Sequence, residues 1–296
     1  MRKISRKFMD CLLDGDLSNL RLYVKEDDTL DLELRGKEIT VYYRGGAILS
    51  IEEENDETYT WKPLDAEYKK GKAPMPTACV RDFENYIPQA KHVIDRYICG
   101  PKNHLGEKEI QQLVVKENNY SPNSNDTDFF IVDMEYQDSV GRFDLVALKW
   151  ESSTSARKSD NVSIAIIEVK QGINTLRTTE SNPGLRQHQN DFEEFCTHPT
   201  ATKSFMHDML TVFKQKCELK LIKANSKIKN ITEKTPLHLV GDLEFYCLLA
   251  NYKPASKQLK NELAEMDECK FFTSSYMGYG LYANNIINKE GILKTL

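Results

Sequence analysis

The sequence predicts an α/β protein in which helices flank a central mixed β-sheet, preceded by a small antiparallel β unit. Three observations carry this expectation. Glycine-punctuated strand-like runs lie within residues 30–54, three longer strand-like runs follow one another between 128 and 170, and helix-like segments stand on both sides of that second group. With 296 residues, 40% of them hydrophobic, the chain can bury a full core as one large domain or two small ones.

The opening stretch "MRKISRKFMDCLLDGDLS" is basic and partly apolar, but Asp10 interrupts it well short of a signal-peptide core. No later run approaches the roughly 20 apolar residues of a membrane span. The cysteines (Cys11, Cys79, Cys99, Cys196, Cys217, Cys247, Cys269) form no C-x-x-C pair, which argues against a zinc ribbon, a disulfide framework or an iron-sulfur cluster. They read as reduced packing residues of a cytoplasmic protein, and the sequons at Asn125, Asn161 and Asn230 as chance matches.

"LDLELRGKEITVYYRGGAILSIEE" divides at Gly36-Lys37 and Gly45-Gly46 into three runs, the pattern of a three-stranded antiparallel meander over residues 30–54. "EYKKGKAPMP" (67–76) gathers Lys, Gly and Pro and marks the expected boundary. Residues 1–75 are thus read as a small β-containing unit and residues 76–296 as the main domain.

In the main domain "VRDFENYIPQAKHVIDRYI" (80–98) has helical apolar spacing interrupted at Pro88, so it is one bent helix or two short ones. "GEKEIQQLVVKENN" (106–119) starts with acids that suit a helix N-terminus. Strand-like "DFFIVDMEY" (128–136), "GRFDLVALKW" (141–150) and "NVSIAIIEVK" (161–170) follow, then helix-like "PGLRQHQNDFEEFC" and "KSFMHDMLTVFKQKCELKLI", then strand-like "LEFYCLLANY" (243–252). The order is α-β-β-β-α-β.

Period two on "SIAIIEVKQG" sets Ile164, Ile166, Glu168 and Lys170 on one face and Ala165, Ile167 and Val169 on the other. A strand apolar on both faces is covered, and charges at its end are costly unless they pair, bind a metal or open onto a cleft. Asp144 alternates with Val146, Leu148 and Trp150 on the preceding strand. If a hairpin closes through "ESSTSARKSDN" (151–161), Asp144 lies as far before that loop as Glu168 lies after it, which sets the two carboxylates opposite each other, with Cβ atoms about 5 Å apart. Such a pair repels unless a divalent cation is shared, and Lys170 beside it can orient water and stabilise charge on a phosphate.

Asp144 followed by Glu168-Val169-Lys170, on adjacent strands between helices, resembles the PD-(D/E)XK nuclease superfamily, which has the restriction-endonuclease-like fold. The likeness spans about residues 105–252. It implies a metal, Mg2+ with Mn2+ as a substitute, held by Asp144, Glu168 and the backbone carbonyl of Val169, with Lys170 as the catalytic lysine. It also implies an acid on the first helix, Glu107 or Glu109, of which Glu107 shares a face with Ile110 and Val114, and a glutamine on the second helix, Gln187 or Gln189, or His188 by register. Gly141-Arg142-Phe143 stands where the motif has its proline. The activity implied is hydrolysis of phosphodiester bonds in nucleic acid, with DNA the expected substrate. The alternative is a nuclease fold that binds nucleic acid or protein without cutting it.

A net charge of -5 repels nucleic acid overall, so any polyanion site has to be local. Lys216, Lys220, Lys223 and Lys227 recur at helical steps opposite Phe213, Cys217 and Leu221, as a solvated face or as a rail for phosphates. Arg157 and Lys158 lie in the loop at the far end of the strands. Residues 1–75 are outside the resemblance, and their hairpins read as decoration, substrate recognition, a protein-binding surface or a dimer contact that would make a homo-oligomer. No nucleotide-binding P-loop, H-E-x-x-H zinc site or G-x-S-x-G elbow is present.

Overall fold

The computed structural model describes the chain except residues 55–57, 101–105, 122, 123, 125, 138–140, 154, 155, 158, 173–175, 177–183, 223–225, 253–255, 275–277 and 296. Ser5 starts α1 (Arg6–Leu13) by accepting the Phe8 N–H at 3.0 Å, and Phe8, Met9 and Leu12 turn into the core. Helix α2 (Ser18–Glu26) packs beside it. An antiparallel meander follows, β1 (Leu30–Leu34), β2 (Glu38–Tyr43), β3 (Gly46–Glu53) and β4 (Tyr59–Pro63). Gly36 and Gly45 make its first two turns at φ 77° and 78°, a conformation that favours glycine. The fourth strand was not expected, because "YTWKP" is short and ends in proline.

Helix α3 (Phe83–Ile98) runs through Pro88 as one element, with Tyr86, Ile87, Ala90, Val93, Ile94 and Tyr97 on its buried side. Next come α4 (Gly106–Asn119), β5 (Phe129–Gln137), β6 (Arg142–Lys149), the short pair β7 (Ser152–Ser153) and β8 (Ala156–Arg157), and β9 (Asn161–Gln171). The chain continues as α5 (Leu185–Cys196), α6 (Pro199–Glu218), α7 (Ser226–Lys229), β10 (His238–Leu239) and β11 (Glu244–Ala250). It ends with α8 (Lys257–Ala264), β12 (Lys270–Ser274), β13 (Ile287–Asn288) and α9 (Lys289–Thr295). These strands form one mixed sheet in the order β13-β12-β11-β9-β6-β5, with β10 beside β9.

Strand β9 is central, antiparallel to β6 and parallel to β11. Ile164 and Ile166 pack in a cluster with Phe213 of α6, while Ala165, Ile167 and Val169 pack with Val114 of α4. Helices therefore cover both faces, which is why the strand reads as nearly continuous apolar sequence.

The packing does not divide at residue 75. A single cluster runs from Phe8, Leu32 and Ile51 through Phe130 and Val146 to Phe213, so the N-terminal unit completes the main core. Buried charges cross the same junction. Lys216 Nζ lies 2.8 Å from both oxygens of Glu33, Asp133 pairs with Arg35 and with Arg2, and Tyr120 donates to Asp31 at 2.7 Å.

Candidate metal centre

Strand pairing brings the acids together. The β6–β9 register pairs Leu145 with Ile167 and Val146 with Ile166, and its next step sets Asp144 across from Glu168. Alternation fails at Asp144: Phe143 and Val146 share one cluster, whereas Leu145 belongs to the other. At this break the Asp144 carboxylate lies at the strand end, where Oδ2 accepts the Val169 N–H at 2.8 Å.

Glu168 and Lys170 continue the face of Ile164 and Ile166. Lys170 Nζ lies 2.5 Å from Glu168 Oε1 and 3.3 Å from Glu107 Oε1, in the first turn of α4. His188 of α5 donates from Nε2 to the same Glu168 oxygen at 2.9 Å. One carboxylate oxygen each from Glu107, Asp144 and Glu168 lies within 4.8 Å of the other two. Two oxygens bound to one ion at 2.0–2.6 Å can stand up to roughly 5 Å apart, so these three lie close enough to share a hard divalent cation. The donor set is all oxygen, which fits Mg2+ or Mn2+ better than a soft metal.

The charges respond to one another. Burial, reinforced by Glu168, pushes the Asp144 carboxyl well above its ordinary range. Burial alone would also raise Glu168, but Lys170 and His188 outweigh it and bring that group down to about 2. Glu107 is raised by burial, with Lys170 opposing. Burial would lower Lys170, yet Glu168, Glu107 and Asp144 hold it above its usual value. With every carboxylate ionised the cluster carries three negative charges against one ammonium, an imbalance that a divalent cation would offset.

The remaining expected residues divide. Glu109 turns away and accepts from Arg44 Nε at 2.6 Å, because two helical positions separate it from Glu107 by about 200°. Neither glutamine reaches the acids: Gln187 is exposed and bonds Asp191 at 2.7 Å, and Gln189 is buried with its amide 3.5 Å from the Glu268 carbonyl. The intervening His188 takes the position facing Glu168. Val169 contributes its N–H to Asp144.

Of the lysine stripe, Lys216 and Lys220 are described, and these two do not line one exposed helical face. Helix α6 ends at Glu218, and Lys216 is 1% exposed on its ion pair with Glu33. Lys220 has left the helix at φ 61° and donates to the Lys229 carbonyl at 2.7 Å. Lys223 and the side chain of Lys227 lie outside the described residues. Arg157 is buried and donates to the carbonyls of Thr127 and Trp150, whereas Lys158 also lies outside the described residues.

Sequence reasoning did not anticipate Glu135. It falls between Met134, paired with Leu145, and Tyr136, paired with Phe143, and so lies across from Asp144 on β5. Its φ is 57°, a left-handed conformation uncommon for glutamate, and no pattern of letters announces it.

Comparison with protein-family models, curated proteins and solved structures gives no match. Among the described residues no helix is long and apolar enough to cross a membrane.

Proposed function

We propose that the chain is a metal-dependent nuclease with a restriction-endonuclease-like, PD-(D/E)XK core, hydrolysing phosphodiester bonds in nucleic acid, with DNA as its substrate. The observation that carries this reading is the convergence of Glu107, Asp144 and Glu168 with Lys170 at the end of a covered strand. Glu107, Asp144 and Glu168 would hold the cation, Mg2+ or Mn2+. When bound, the cation would supply Lewis-acid stabilisation of a phosphoryl oxygen and a lowered pKa for water.

The protein groups prepare the rest. Lys170 keeps its positive charge despite burial, which suits it to stabilise negative charge growing on the phosphate in the transition state. His188 donates to the same Glu168 oxygen that Lys170 contacts, which helps fix that carboxylate's orientation. The Val169 N–H does the same for Asp144.

A second reading has its own support. Lys170 already bridges Glu107 and Glu168, and could serve as their permanent counterion in a fold that binds nucleic acid without cutting it. A cleavage assay on linear and circular, single- and double-stranded DNA with Mg2+ or Mn2+ separates the two. Metal-dependent cleavage abolished by chelation supports the nuclease; binding in Ca2+ without cleavage in Mg2+ or Mn2+ supports the counterion reading.

A further inference from the structure

Beside the metal centre lies a second arrangement of charge. Lys108 follows Glu107 on α4, Arg142 lies two residues before Asp144 on β6, and both reach one oxygen of Glu135, Lys108 Nζ at 2.9 Å and Arg142 Nη2 at 3.5 Å. Their side chains are 40% and 64% exposed, while Glu135 is 14% exposed. Among the described residues, two cations on one carboxylate leave one positive charge in excess here. Arg44 differs, because its cation is matched by two acids, Asp95 and Glu109.

Stability does not explain the arrangement. Exposed ion pairs return little, whereas the left-handed backbone of Glu135 is a strained conformation that costs more than such pairs recover. Strain of this kind collects where a side chain must be aimed for binding or catalysis, and here it places a carboxylate between two exposed cations. A carboxylate gripped by lysine and arginine occupies the position that suits a phosphate oxygen.

On the nuclease reading above, we propose that Lys108 and Arg142 form a phosphate clamp that takes the phosphate next to the scissile one along the nucleic-acid strand, displacing Glu135. The clamp gives an acidic protein the local positive site that its net charge of -5 requires. It also offsets the repulsion that Glu107, Asp144 and Glu168 exert on an approaching phosphodiester.

The test is binding of a short DNA duplex in Ca2+ as salt is varied, together with steady-state cleavage in Mg2+. Each of Lys108→Gln and Arg142→Gln is expected to weaken binding several-fold at low salt, and the double variant to reduce the slope of log affinity against log salt by about one, the one phosphate that the clamp neutralises. KM should rise while kcat stays within about twofold. Glu135→Gln should act in the opposite direction, tightening binding a few-fold by removing the competing carboxylate. A double variant that keeps the wild-type slope and KM overturns the clamp while leaving the nuclease intact, and a Glu135→Gln protein that binds more weakly overturns the exchange. Wild-type protein that neither binds nor cuts DNA overturns both the clamp and the nuclease on which it rests.

Discussion

At the scale of the residue, the acids and the lysine differ in what their removal does. Asp144→Asn keeps the shape but deletes a metal-directed charge, so metal affinity and cleavage should fall together, read by calorimetry and by a DNA assay. Because Asp144 is strained by burial and by Glu168, its neutral replacement should leave the metal-free protein as stable as wild type or more so in urea. Lys170→Ala removes a charge that is not a ligand. It should still bind metal and DNA but lose two or more orders of magnitude in kcat. Proton linkage follows from the same environment. Raised carboxyls at Asp144 and Glu107 hold protons that a metal must displace, whereas Glu168 at about 2 is already ionised. Mg2+ affinity should therefore rise with pH, and calorimetry in buffers of different ionisation enthalpy should show proton release on binding. In the metal-free protein, Asp144 loses stability as pH climbs from its unfolded value toward its raised folded value. Glu168 loses its contribution only as pH falls from about 4.5 toward about 2.

The element that changes most between sequence and structure is α6. Its lysines look like a stripe in one dimension, but Lys216 points inward to Glu33, and both are sealed from water. Removing one partner of such a pair strands the other charge. Lys216→Met should cost about 3–5 kcal/mol, and should have no specific effect on the salt slope of DNA binding by the folded fraction. Burial, with Asp31 and Asp133 nearby, outweighs Lys216 and raises Glu33 above its usual range. Loss of Lys216 raises it further, so the stability deficit should widen with pH. Urea unfolding at pH 5 and at pH 8 checks this, the gap from wild type being larger at pH 8. Strand β6 shows a subtler effect: the break in alternation at Asp144, matched by the left-handed Glu135 across from it, turns a strand end into a site.

For the whole molecule, the shared core decides how the parts depend on one another. Residues 1–75 bury Phe8, Leu32 and Ile51 against the cluster that includes Phe130 and Phe213, and supply Glu33 to Lys216 and Arg35 to Asp133. Separating the parts would open this shared cluster, although the cluster on the other face of the sheet and the one beside α8 and β12 are built from residues of 76–296. A fragment of residues 76–296 should lack the cooperative thermal transition of the full chain, which should unfold in one step by calorimetry and by circular dichroism. A fragment that melts as sharply as the full chain would show that the junction is dispensable.

Much of this protein is legible in one dimension because its signals are periodic and local. Apolar residues on both faces mark β9 as covered, glycines mark the hairpin turns, and equal distances from a loop place Asp144 opposite Glu168, since an antiparallel register depends on counting alone. Helical angle likewise separates Glu107 from Glu109. What the chain could not announce depends on contacts between distant segments. Whether Lys216 faces water, which of three consecutive α5 residues meets Glu168, and why Glu135 takes a left-handed backbone are decided where sheet, helices and N-terminal unit press together. Burial is a property of the assembled fold, and a lysine or glutamate carries no local mark of the partner that lets it go there.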